Sequence, residues 1–116
     1  MGDNRVNQTI RKIIAHIDQT IAYCHGQTFA SFMENRMLQE ACAFHVLQIG
    51  ELSKNVLHDD FTAAHPEIPW RQMYGMRNRI VHDYEGVQMK IVWDTITADF
   101  PMLKRSLLTL LLEMEH

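Results

Sequence analysis

The residues best suited to chemistry lie together in the stretch Gly75-Met76-Arg77-Asn78-Arg79-Ile80-Val81-His82-Asp83-Tyr84, the most polar part of an otherwise apolar helical pattern. On a helix, Asn78 and His82 are four residues apart and share a face, and Arg79 and His82 are three apart. Arg77 precedes His82 by five, which turns the two side chains about 140° apart around the axis. Arg77 must therefore curl round, or the helix must end near His82. Tyr84 is expected just past that end. A histidine titrates near neutral pH and can take or give a proton. A guanidinium holds two phosphate oxygens and offsets charge developing in a transition state. An amide such as Asn78 can fix an imidazole tautomer or bind a phosphate or ribose oxygen. Together these groups suit phosphodiester chemistry. A single His is little for cleavage that needs both a base and an acid, but a two-fold dimer would bring two His and two Arg into one groove.

The elements that must position this stretch read as helices. Ile10, Ile13, Ile14, Ile17, Ile21 and Cys24 form one apolar stripe on a first helix, which Gly26 stops. Thr28 or Ser31 can cap a short turn carrying Phe29, Phe32 and Met33. A second helix is expected over 35–57 with an inward stripe of Leu38, Ala41, Cys42, His45, Ile49, Leu52 and Val56. Gly50 interrupts it, which suggests a close approach by another backbone. A loop follows over 58–69, with a short turn from Asp59 or Asp60 through Phe61. Pro69 suits the start of a third helix carrying Trp70, Met73, Met76, Ile80 and Val81, closed by Glu85-Gly86. The last stretch, 87–116, is helical again, and Pro101 either kinks one long helix or begins a new one capped by Asp99. Its tail, from Leu103 to Met114, is apolar around more than one face. One of those faces is therefore available to a partner subunit. No strand pattern, internal repeat or linker is evident, so the expectation is an all-α domain over 1–116, a bundle of four to five helices.

A chain of 116 residues carrying a formal charge of −3 offers no overall basicity for coating nucleic acid, though a local basic patch is open to it. Cys24 and Cys42 belong to no C-x-x-C pair and read as buried free thiols. The opening residues are polar and the longest apolar run is short, so a cytoplasmic location without membrane contact is expected. His16, His25, His45, His58, His65 and His116 show no metal-ligand spacing, and no phosphate-cradling glycine loop is present; no metal and no cofactor is expected. His45 reads as a satisfied core histidine and the eight methionines as core filler. Glu51, on the second helix, is placed to pair with an arginine of the polar stretch.

The spacing Arg, four residues, His, one residue, Tyr (Arg77, His82 and Tyr84) resembles the motif of HEPN-domain proteins of the HepT toxin type. The flanks agree: His65-Pro66-Glu67-Ile68-Pro69-Trp70, Gly75-Met76-Arg77-Asn78, Gly86-Val87, Val92-Trp93, and Ile49-Gly50-Glu51 on the second helix. The resemblance covers nearly the whole chain. It implies a helical bundle whose two copies pack with both motifs in one cleft. It implies metal-independent endoribonuclease activity, in which the ribose 2′-OH attacks the adjacent phosphate. It implies a toxin paired with a minimal nucleotidyltransferase antitoxin that transfers AMP to Tyr84. His82 would then be the general acid or base, Arg77 would hold the scissile phosphate, and Asn78 would support either. Apart from the resemblance, Arg79 and Glu51 are candidate supporting residues by their helical placement, the other readings being a solvated helix face for Arg79 and a plain surface role for Glu51. The alternatives are a non-catalytic subunit that binds nucleotide or docks on the nucleotidyltransferase, and a plain helical interaction protein with a chance motif.

Overall fold

The computed structural model describes residues 4–115; Met1, Gly2, Asp3 and His116 lie outside the described residues, and with them the His116 of the metal reading. The expected helices form. α1 spans Asn4–Cys24 and buries Ile10, Ile13, Ile14, Ile17 and Cys24, the stripe of threes and fours read from the sequence. Gly26 takes a left-handed φ of 78° just beyond its end, a conformation costly for any other residue. The short α2, Phe29–Met33, starts at a capping box. The Thr28 side chain accepts from the Ser31 N–H, and the Thr28 N–H donates to Ser31 Oγ. Both residues proposed as alternative caps thus act in one motif.

α3 spans Arg36–Glu51, is capped by Asn35, and runs on through a wide π turn at Leu52–Val56. Its inward row differs from the expected one. Cys42 and Ile49 are buried as read, but Leu38, Ala41, His45, Leu52 and Val56 are only half-buried. The buried places between go to Ala43, Val46, Gly50 and Ser53. Three of those four are small, because another helix runs close against this face. The Ser53 hydroxyl satisfies itself on the Ile49 carbonyl at 2.8 Å. His45 is therefore not a core residue: it sits at the rim, its Nδ1 2.8 Å from Nδ1 of His16 on α1. The methionines divide as well: Met73 is buried, but Met33, Met37 and Met102 are exposed.

A short α4, Asp59–Ala64, sits within the expected loop. α5, Trp70–Asp83, follows Pro69, and its start is pinned by Ile68, buried in the core, and by the Trp70 indole, which donates to the His65 carbonyl at 2.9 Å. α5 pairs chiefly with α3, antiparallel to it. α6, Met89–Asp94, continues through a second π turn, Thr95–Asp99, into α7, Phe100–Met114. Of the two outcomes open at Pro101, the helix continues: Asp99 is helical and makes no side-chain cap. The widened turn ahead of the proline accommodates a ring that an α-turn would press against a carbonyl, and a residue with no N–H to donate.

The result is all-α: four long rods (α1, α3 with its π turn, α5, and α6–α7) with α2 and α4 as short connectors. Ile10, Ile13, Ile17, Phe32, Val46, Ile49, Val92, Ile96, Leu107 and Leu110 are almost fully buried between the rods. Each contributes about 1.5–3 kcal/mol by leaving water. Cys24 and Cys42 are free and buried, their sulfurs 3.8 Å apart, and burial pushes the Cys42 thiol up to about 12. On α7, Leu103, Leu107, Leu110 and Leu111 face the core while Met102, Leu108 and Leu112 face outward. Among the described residues no helix is long and apolar enough to cross a membrane.

Candidate functional site

The site is built where α3 and α5 come closest. A Cβ added at Gly50 would lie 2.3 Å from Arg77 Cβ and 2.8 Å from the Met73 carbonyl oxygen. Only a residue without a side chain lets α5 lie here, and the contact fixes Arg77 against α3. Glu51, the next residue, receives the guanidinium: Oε1 accepts from Nε, with Nη2 of the same group alongside. Oε2 accepts from Asn55 Nδ2 at 2.6 Å. Arg77 Nη1 donates to Asn78 Oδ1 at 2.8 Å, and the guanidinium carbon lies 5.5 Å from the centre of the Tyr74 ring. The side chains of Arg77 and Glu51 are 20% and 30% exposed, enough for a ligand to reach them.

The expected pairing of Glu51 with an arginine of the motif is thus present, and the arginine is Arg77. Arg77 does not curl toward His82. His82 lies near the end of α5, exposed, with no hydrogen-bond partner among the described residues. Arg79, two residues from Arg77, points to the other side of α5, beside Met76, Asp83, Gly86 and Val87. Asn78 is half-buried and spends its carbonyl oxygen on Arg77.

α5 ends in the short 3-10 turn Tyr84–Gly86, in which the Asp83 side chain accepts from the Gly86 N–H at 3.1 Å. A Cβ on Gly86 would lie 2.1 Å from an Asp83 carboxylate oxygen, so a larger residue there would push the Asp83 side chain off its cap. This turn folds Tyr84 back onto the edge of the core, half-buried near the start of α3. Burial and the nearby Glu40 carboxylate lift its phenol above the ordinary value, while Arg36 pulls the other way. Arg77 and Tyr84 therefore stand toward opposite ends of one helix pair, with His82 between them along α5.

Sequence reasoning passed over Asn55 and Tyr74. Both carried a signal: Asn55 follows Glu51 by four on one helix, and Tyr74 precedes Arg77 by three on the other, the spacings that make helical neighbours.

The fold and site define an all-helical protein with a clamped arginine, an open histidine and a tucked tyrosine along one helix. Comparison with known proteins agrees with that description. Residues 10–110 match the family described as HepT-like, ribonuclease HepT-like. A probable ribonuclease HepT of Thermococcus cleftensis is 42% identical over 76 residues, 66% of this chain and 68% of its own. A candidate RNase of Caldanaerobacter subterraneus subsp. tengcongensis is 32% identical over 102 residues, 84% of this chain and 90% of its own. A candidate RNase of Methanocaldococcus jannaschii is 29% identical over 101 residues, 87% of this chain and 83% of its own. No solved structure matches the chain at comparable significance. The chain belongs to the ribonuclease HepT-like family, a family of RNA-cleaving enzymes.

Proposed function

We propose that this protein is the toxin of a toxin–antitoxin pair: a metal-independent endoribonuclease that acts as a homodimer and is silenced by AMP transfer to Tyr84. The observation that carries the catalytic part is the division of labour along α5. Arg77 is held rigid with donors to spare, while His82 is exposed and uncommitted. A guanidinium has five N–H donors, and three are engaged by Glu51 and Asn78, leaving two for the scissile phosphate. His82 takes the proton from the ribose 2′-OH. The freed oxygen attacks the adjacent phosphorus, the bond from phosphorus to the 5′-oxygen breaks, and a second acid protonates that oxygen. The products are a 2′,3′-cyclic phosphate and a 5′-hydroxyl end. With one histidine per chain at this place, the second acid is His82 of another copy. Two exposed apolar side chains flank the site in line with the ion pair: Phe44, seven residues before Glu51, and Val81, four after Arg77. A second copy laid along α3 and α5 would cover them and bring both motifs into one cleft.

The regulatory part rests on Tyr84. A minimal nucleotidyltransferase partner would join the phenol oxygen to the α-phosphorus of ATP and release pyrophosphate. The product places an anion and an adenosine at the end of α5, beside His82. RNA would then meet both bulk and like charge.

The test is expression of the wild type and of His82→Ala without the partner, followed by incubation of each purified protein with RNA in excess chelator. Growth arrest and chelator-resistant cleavage to 2′,3′-cyclic phosphate ends, both lost in His82→Ala, are expected. A wild type with an unmodified Tyr84 that neither arrests growth nor cleaves would sink the reading in favour of a non-catalytic binding subunit.

A further inference from the structure

Arg77 is the one motif residue whose side chain is fully oriented, and the group that orients it lies on the neighbouring helix. Resting on the reading of Arg77 as the phosphate anchor, we infer that Glu51, braced by Asn55, is a positioning residue for RNA cleavage: it presets the guanidinium so that its two remaining donors face the scissile phosphate.

Four features support this. The absence of a side chain at Gly50 seats the Arg77 backbone directly against α3, within reach of Glu51. Glu51 Oε1 takes Nε–H and stands against Nη2, which fixes the plane of the guanidinium from its side. Asn55 holds the other carboxylate oxygen at 2.6 Å, so both oxygens of Glu51 are engaged. The Tyr74 ring lies beside the guanidinium at 5.5 Å and limits tilting. A free arginine side chain samples many rotamers, and binding a phosphate would have to select one; here that selection precedes the substrate.

The negative charge of Glu51 works against the phosphate that Arg77 receives. A simple attraction for RNA would be better served by no acid at this place. The clamp therefore trades affinity for placement, and the two effects separate in kinetics. In Glu51→Gln the side-chain oxygen can still accept from Arg77, and the Asn55 amide can rotate to present its own oxygen to the new amide group. In Glu51→Ala nothing replaces the contact.

The experiment is steady-state cleavage of a short RNA at low salt by the wild type, Glu51→Ala and Glu51→Gln. Thermal melts of each variant accompany it, with the Arg77 Nε–H resonance followed by side-chain NMR. Glu51→Ala is expected to lose about 10- to 100-fold in kcat, the range for removing an outer partner of a site ligand. Its Arg77 resonance should fade into exchange with water. Glu51→Gln is expected to keep kcat within a few-fold, keep the resonance, and lower KM. Wild-type kcat in Glu51→Ala would overturn the inference. So would a folded Glu51→Gln that is as slow as Glu51→Ala, since charge and not placement would then carry the effect. A wild type that cleaves nothing overturns the ribonuclease reading itself, and does so before any variant is compared.

Discussion

The two ends of the α3–α5 pair are built in opposite ways. At the Arg77 end the helices touch through Gly50, and the side chains of Arg77, Glu51, Asn55 and Asn78 are linked to one another by hydrogen bonds. At the other end α5 tightens into a 3-10 turn, and His82 stands exposed with no hydrogen-bond partner among the described residues. The contrast suits the two jobs proposed for Arg77 and His82. A phosphate anchor acts by being in place before the substrate arrives. A proton carrier must meet the substrate and, in a shared cleft, face a second copy, so its own chain leaves it open. Under the proposed regulation by AMP, Tyr84 would put the control point at the open end, not at the clamped one.

If that contrast holds, substitutions at the two ends fail differently. His82→Ala is expected to lose about 10²–10⁴-fold in single-turnover cleavage. Its melting curve should shift by no more than about 0.5 kcal/mol, as for other exposed side chains. Arg77→Ala should cost about 10²–10³-fold in rate. Unlike the histidine variant it should also destabilise the fold by about 1–3 kcal/mol, because Glu51 is left half-buried with its main partner gone. A denaturant titration of the two variants side by side would break the comparison if both proved equally stable. Gly50→Ala is expected to cost about 1–3 kcal/mol by forcing α3 and α5 apart. Activity should fall with it, since Arg77 moves with the backbone; a stable, fully active variant would show that the close approach is dispensable.

The smallest effect concerns histidines that are already placed. His16 and His45 touch each other between α1 and α3, and burial lowers both from their usual value, with the His16 charge lowering His45 further. Groups that titrate lower in the folded chain than in the unfolded one contribute stability that is fully present above the unfolded value, about 6.5. That stability is lost as pH falls through the folded values. Melting temperature should therefore decline on acidification below about pH 6.5, and less so in His45→Gln. A wild type and variant with parallel pH profiles would remove this pair from the account.

The first helix was legible because six apolar residues repeat at three and four without interruption. The second was half legible. Hydrophobicity marks large apolar side chains, but this helix buries Ala43, Gly50 and Ser53 because α5 runs close there, and closeness is a property of two helices together. His45 was misread for the same reason: it lies on an apolar stripe that faces the rim. The π turns at Leu52–Val56 and Thr95–Asp99 have no composition of their own, although Pro101 announced that something must give near the second. In the site, the identities of Arg77, Asn78, His82 and Tyr84 were plain from the motif, and the pairing of Glu51 followed from its place. The opposite aim of Arg79 follows from a two-residue step that turns a side chain about 200°. Asn55 and Tyr74 stayed hidden because their roles appear only once Arg77 is seen to lean on α3.

The proposed cleft is shared by two copies and requires both Arg77 and His82. The most direct test mixes two inactive proteins, Arg77→Ala and His82→Ala, under conditions that exchange subunits, and measures RNA cleavage. The mixed dimer would hold one intact Arg77 and one intact His82 on different chains; with water in place of the second acid, partial recovery of cleavage, well below the wild type, is predicted. No recovery, with subunit exchange verified by mass, would contradict the shared cleft.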